Sequence, residues 1–156
     1  MAHSLRLTEE QLAFQIRAAK LPKRSLKPSE HQEQVALCQW WAHACIAYDL
    51  PEYSLLAIPN AAKRSYRLAA YMKAEGLRAG IPDLFLAKQL ADGSGELGEW
   101  TIGGLFIEMK VKPNKPSPEQ NRIIQYLDLQ GYRVAVCYSA DEAIKAIKDY
   151  LAAAKK

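Results

Sequence analysis

Cysteine is scarce in this chain, and no arrangement makes it chemically prominent. Three residues (Cys38, Cys45, Cys137) among 156 cannot pair completely, and none stands in a C-x-x-C spacing. That excludes a complete disulfide framework; free, mostly buried thiols in a reducing cytoplasm are expected instead. Cys38 and Cys45, seven apart, share a helical face, as buried small residues would. The three histidines (His3, His31, His43) show no ligand spacing, and His43 is expected to be a surface or packed residue. No apolar stretch approaches the roughly 20 residues a membrane span needs, and no signal-peptide pattern opens the sequence. A serine or cysteine triad arrangement, a Gly-rich phosphate loop, internal repeats and low-complexity blocks are all missing.

What is present is an ordinary globular composition, 49% hydrophobic and 24% charged, with a mildly basic net charge of +4. The length suits one domain with a sizeable core. The basic balance is compatible with a polyanionic partner. Thr8-Glu-Glu-Gln11 is a capping box that opens a short helix ending near Leu21-Pro22. The linker 20–28, KLPKRSLKP, carries four basic residues and two prolines, and reads as extended and exposed. Residues 1–28 are thus an N-terminal helix and basic linker, and 29–156 the main domain.

Ser29-Glu-His-Gln32 is a second box, starting a long helix to about Tyr48 with Leu37, Trp40, Trp41 and Ala44. Adjacent tryptophans cannot point the same way on a helix: one can enter the core, and the other could cover a subunit interface. Ser54–Ile58 reads as a strand, 61–75 as a helix with Gly76 as its C-cap, and Asp83–Ala87 as a strand. A Gly-rich connection, ADGSGELGEWTIGG, leads in a loose hairpin to strand Leu105–Val111. Ser117-Pro-Glu-Gln120 is a further box with proline at the first helical position. Its helix stops at Gly131, strand Arg133–Tyr138 follows, and Ser139-x-x-Glu142 opens the last helix. This order predicts an α/β fold, a mixed sheet of about four strands with helices on both faces.

The chemistry concentrates in GGLFIEMKVKPNKPSPEQ, residues 103–120. Side chains two apart on a strand share a face, so Glu108 and Lys110 project together while Ile107 and Met109 face a helix layer. Hairpin pairing could bring Asp83 beside Glu108. Two carboxylates that close repel unless a cation lies between them, and hard oxygen donors select magnesium or manganese. An isolated E-x-K is usually a strand-end ion pair. Here Pro82-Asp83, then 24 residues, then Glu108-x-Lys110 makes a PD…ExK pattern with both halves on predicted strands.

Gly80-Ile-Pro-Asp83-Leu-Phe, Leu105-Phe-Ile-Glu108-Met-Lys110 and Ser117-Pro-Glu-Gln120 together resemble the virus-type replication-repair nuclease (VRR-NUC) family of the PD-(D/E)XK superfamily. The resemblance runs from about Ser29 to Leu151. It implies a restriction-endonuclease-like core and a Mg2+- or Mn2+-dependent DNA phosphodiesterase, with stand-alone members that cut branched junctions as homodimers. By that resemblance Asp83 and Glu108 are metal ligands, with the Met109 carbonyl as a further one, and Lys110 is the catalytic lysine. The family's acidic residue on the first core helix has two candidates, Glu30 and Glu33. Glu30 is preferred for its S-E-x-x-x-Q setting, although an acid there also suits the helix dipole. Gln120 points into the active site by resemblance, while its position in the capping box offers a competing role.

Residues 61–80 hold five basic residues (Lys63, Arg64, Arg67, Lys73, Arg78) against one acid, and Lys112 and Lys115 follow Lys110. Such a rim would grip phosphates around an acidic centre. Tyr66 and Tyr71 could stack on bases, but Tyr71 is expected to pack into the core. The reading that follows is a DNA endonuclease selective for branched structures. A non-catalytic nucleic-acid-binding module, an RNA-directed nuclease and a sequence-specific nuclease of the same fold remain as alternatives.

Overall fold

The computed structural model describes residues 27–59, 66–91 and 101–153. The expected first helix, most of the basic linker, and Lys63 and Arg64 of the basic run lie outside them. The elements are α1 (Glu30–Ala44), β1 (Leu55–Ala57), α2 (Tyr66–Ala74), β2 (Leu84–Leu86), β3 (Leu90–Ala91), β4 (Thr101–Ile102), β5 (Leu105–Met109), α3 (Pro118–Leu129), β6 (Arg133–Cys137) and α4 (Ala140–Ala153). Each strand is a residue or two shorter at its ends than the apolar runs predict. The long helix tightens into a 3-10 turn at Cys45–Tyr48. The Gly-rich connection contains the small β3–β4 ladder, which sequence reading leaves as loop.

The main sheet is mixed, in the order β1-β2-β5-β6. β2 pairs antiparallel with β1 and β5, while β5 and β6 are parallel, joined by α3 as a crossover. Register then sorts the side chains. Leu84, Leu86, Leu105, Ile107, Met109 and Cys137 lie on one face and are buried with Leu37 and Trp41 of α1 and Ala143 and Ile147 of α4. The other face carries Phe85 and Phe106, with ring centroids 4.5 Å apart, and Tyr132 set edge-on to Phe106 at 5.3 Å. α3 covers this second side. Helices therefore flank both faces, as the alternating strand pattern predicts.

Two glycines fix how the site-bearing segments meet. A Cβ on Gly104 would stand 2.5 Å from the Phe85 ring, so only glycine lets β5 start this close to β2. Gly80 has φ +86°, and a Cβ there would approach Ile123 and Glu119 at 3.0 and 3.3 Å. That contact seats the loop before Pro82-Asp83 on the first turns of α3.

Two burial expectations change, and one is met. Tyr71 is 64% exposed, so its ring lies outside the core. Cys38 is exposed, although Cys45 and Cys137 are buried. It lies beside the 3-10 turn Glu52–Ser54, lining a shallow cleft with Trp41 and Tyr53 instead of facing the sheet. Trp41 is the core tryptophan, its indole N–H donating to the Glu52 carbonyl at 3.0 Å. Trp40 is half-buried, with the Lys148 ammonium 5.7 Å from its ring centroid.

Candidate active site

The site grows from the ends of β2 and β5. The antiparallel register Leu84↔Ile107, carried one step back, sets Asp83 across from Glu108 on the α3 side of the sheet. The backbone N–H of Met109 donates to Asp83 Oδ2 at 2.8 Å, which ties the Asp83 carboxylate to the β5 backbone. Glu108, two residues from Phe106, falls on the same face and is 1% exposed. Its Oε1 accepts from both the Lys110 ammonium and the Gln120 side-chain amide. Its Oε2 is buried with no hydrogen-bond partner. An unsatisfied carboxylate oxygen inside a protein is unfavourable by about 1–3 kcal/mol or more. A cation is the natural complement of such an atom.

The electrostatics agree with the geometry. Burial pushes the Glu108 carboxyl above its ordinary range; the Lys110 hydrogen bond opposes this, and the neighbouring Asp83 charge adds to it. For Lys110, burial pulls the ammonium down. The hydrogen bond and charge of Glu108, reinforced by Glu30 and Asp83, more than offset that, so its pKa ends above the usual lysine value. Lys110 is therefore a firm cation near neutral pH. It also reaches the Met109 carbonyl at 3.4 Å.

Gln120 resolves the competition between its two roles. Its Oε1 accepts from the Ser117 backbone N–H at 2.9 Å, closing the α3 capping box, while its Nε2 donates to Glu108. An amide presents an acceptor and donors at separate atoms, so one side chain serves the cap and the carboxylate together. Cap geometry thus fixes the direction of the donor toward Glu108.

The first-helix carboxylates separate clearly. Glu33 Oε2 accepts from the Ala140 N–H at 2.6 Å, so it caps the N-terminus of α4. Glu30 contributes to the field at Lys110, and its Oε1 accepts from the Asn114 side-chain amide at 3.4 Å. The structure thus links Glu30, not Glu33, electrostatically to the Asp83–Glu108–Lys110 group. Asn114 was not foreseen: nothing in the Pro113-Asn-Lys-Pro116 turn marks it except its turn composition. Among the described residues, no three His, Cys, Asp or Glu side chains converge closely enough to form a metal cluster by themselves. The donor set at hand is two carboxylates and a backbone carbonyl, with Glu30 standing apart.

The described basic residues of the rim, Arg67, Lys73, Arg78, Lys112 and Lys115, are all exposed. Arg78 is held over the end of α2 by the Lys73 and Leu77 carbonyls at 3.5 and 3.4 Å. Lys112 lies 5.6 Å from the Tyr138 ring centroid. His43 is a surface residue, contacting the Gln39 carbonyl through Nδ1 at 2.9 Å.

No curated protein matches the chain. A solved structure of a VRR_NUC domain protein shares the fold with a TM-score of 0.59 at 24% identity, covering 80% of this chain and 88% of that one. The profile of the VRR-NUC domain matches residues 28–141, a span that takes in β2, β5 and α3 with all the site residues above. The chain belongs to the VRR-NUC family, and residues 28–141 are a nuclease-family domain whose substrate class is nucleic acid.

Proposed function

We propose that this protein is a metal-dependent DNA endonuclease whose centre is Asp83, Glu108 and Lys110. The observation that carries the reading is the orphaned, buried Glu108 Oε2 beside a second carboxylate. Asp83, Glu108 and the Met109 carbonyl fit an oxygen-coordinated Mg2+ or Mn2+, with Glu30 as an outer acidic partner. When bound, such an ion polarises a phosphate oxygen and lowers the pKa of a coordinated water. The chain's own residues do the rest. Gln120 and Lys110 hold Glu108 in one orientation through its Oε1. The Lys110 ammonium offsets negative charge that develops on the phosphate as its ester bond breaks. Lys63, Arg64, Arg67, Lys73, Arg78, Lys112 and Lys115 grip flanking phosphates and set the strand over the centre.

Selectivity for branched DNA, such as four-way junctions or flaps, and a homodimeric assembly extend this reading on family grounds. The rim consists of phosphate-binding cations with no base-reading motif, which favours recognition of DNA shape over sequence. The unpaired, buried thiols of Cys45 and Cys137 suit work in the cytoplasm. The test is cleavage of end-labelled junction, flap, single-stranded and linear duplex DNA, with RNA counterparts, in Mg2+, Mn2+ or EDTA. Metal-dependent cutting of a branched DNA supports the proposal. Tight binding without cutting under either metal would instead make the protein a binding module.

A further inference from the structure

Next in sequence to the residues of the centre lies a cleft of about 610 Å³, of whose lining only Lys112 enters the reading above. Two of its walls continue directly from the site. Val111 and Lys112 follow Lys110, and Ser29 precedes Glu30. The Lys110 backbone N–H donates to the Cys137 carbonyl at 2.8 Å, which brings Tyr138, a further lining residue, alongside Lys110. The cleft therefore opens within a residue or two of the side chains that would hold the metal and the scissile phosphate.

Its chemistry is mixed in an informative way. Tyr138 supplies an aromatic ring, half-buried and with the Lys112 ammonium 5.6 Å from its centroid. Glu33 and Glu142 supply two carboxylates, each with one oxygen committed to a backbone N–H, from Ala140 at 2.6 Å and Tyr138 at 2.8 Å. Fixed carboxylates repel a phosphate but accept hydrogen bonds from the amino and imino groups of a nucleobase. An aromatic ring accepts the flat face of any base. Lys112 at the rim suits the phosphate attached to that base. The volume lies within the range of small-molecule sites and holds a base with its sugar.

We infer that this cleft takes one unpaired DNA base next to the cut phosphate, stacked on Tyr138. The inference rests on the endonuclease reading for its substrate and deepens it. A base must leave its duplex partner to enter, so DNA with an unpaired nucleotide beside the cut site is preferred over perfect duplex.

The test uses the full chain with Ca2+ in place of Mg2+, so that binding is read without cutting. Fluorescence anisotropy compares a duplex bearing one unpaired adenine with the same DNA carrying an abasic residue at that position. The expected result is about tenfold tighter binding of the adenine DNA by the wild type, the size of one base–aromatic stack. Tyr138→Leu keeps an apolar side chain but removes the ring, and brings the ratio close to one. Tyr138→Phe restores it. A wild-type ratio of one would overturn the inference whatever the variants do, and so would a ratio that survives in Tyr138→Leu. The ratio and cleavage fail independently. A chain that cuts with a ratio of one loses the base cleft alone, while a chain that discriminates but never cuts loses only the reaction.

Discussion

Replacing Lys110 with methionine isolates the electrostatic tension in the site. Methionine keeps most of the lysine's aliphatic length, so packing changes little. What disappears is the ammonium that faces Glu108, a side chain 1% exposed, from a position itself only 12% exposed. Removing one partner of a buried ion pair typically destabilises by about 3–5 kcal/mol, because the remaining charge is uncompensated. Glu108 keeps the Gln120 amide and can relieve part of the strain by taking a proton, so the low end, about 3 kcal/mol, applies here. For a chain of this size that lowers Tm by roughly 6–12 °C. Glu108→Gln in the same background removes the stranded charge and returns stability to within about 1 kcal/mol of wild type, since neutral replacements of buried pairs are often close to neutral. Urea unfolding of wild type, both single variants and the double variant, in EDTA at pH 7.5, gives the cycle. A Lys110→Met protein as stable as wild type, or a double variant whose losses simply add, would refute the buried-pair argument.

Gln120 gives a second handle: Gln120→Ala removes both the cap and the Glu108 contact, lowering stability by about 1 kcal/mol and cleavage by at least tenfold. Gln120→Glu keeps the acceptor of the cap but sets a carboxylate oxygen against the buried Glu108, so urea melts should show it no more stable than Gln120→Ala, and cleavage stays low. Glu30→Ala shows its loss first in cleavage rate, whereas Glu33→Ala shows it first in unfolding, by about 1–2 kcal/mol from the lost α4 cap. At high pH, burial pushes the Cys137 thiol, with the Glu142 charge adding to it, and the Tyr150 hydroxyl each up to about 12. The unfolded chain releases these protons near 9 and 10 while the fold retains them, so stability is intact below pH 9 and falls between 9 and 12. Urea midpoints across that range check this, and Cys137→Ser with Tyr150→Phe should flatten the slope.

Much of this site is legible from local pattern alone. A period of two puts Glu108 and Lys110 on one strand face and PD…ExK marks Asp83 as their partner, while the register that sets Asp83 across from Glu108 comes from the folded sheet. The S-x-x-E/Q patterns at Ser29, Ser117 and Ser139 announce their helices from four residues each. What sequence does not carry is which covered face a residue meets. Cys38 and Cys45 stand seven apart, yet Cys38 on the α-helix is exposed while Cys45, where the chain tightens into a 3-10 turn, is buried. Tyr71 is an aromatic residue that ordinary burial preference places in the core, yet its ring is exposed. Glu33 looks like a solvated helical acid until α4, more than a hundred residues later, presents an uncapped N–H to it. These are tertiary facts, set by contacts between segments far apart in the chain. The β3–β4 ladder escapes for a different reason: two-residue strands lack the length for periodicity to register.

The central claim is that Glu108 Oε2 and Asp83 together hold a divalent cation. It is tested most directly by titrating Mn2+ into the DNA-free protein and following the free-ion electron paramagnetic resonance signal. Wild type should bind Mn2+ with micromolar to millimolar affinity, weakened at least tenfold in Asp83→Asn and in Glu108→Gln. Equal binding by all three proteins, or none by any, would contradict the account.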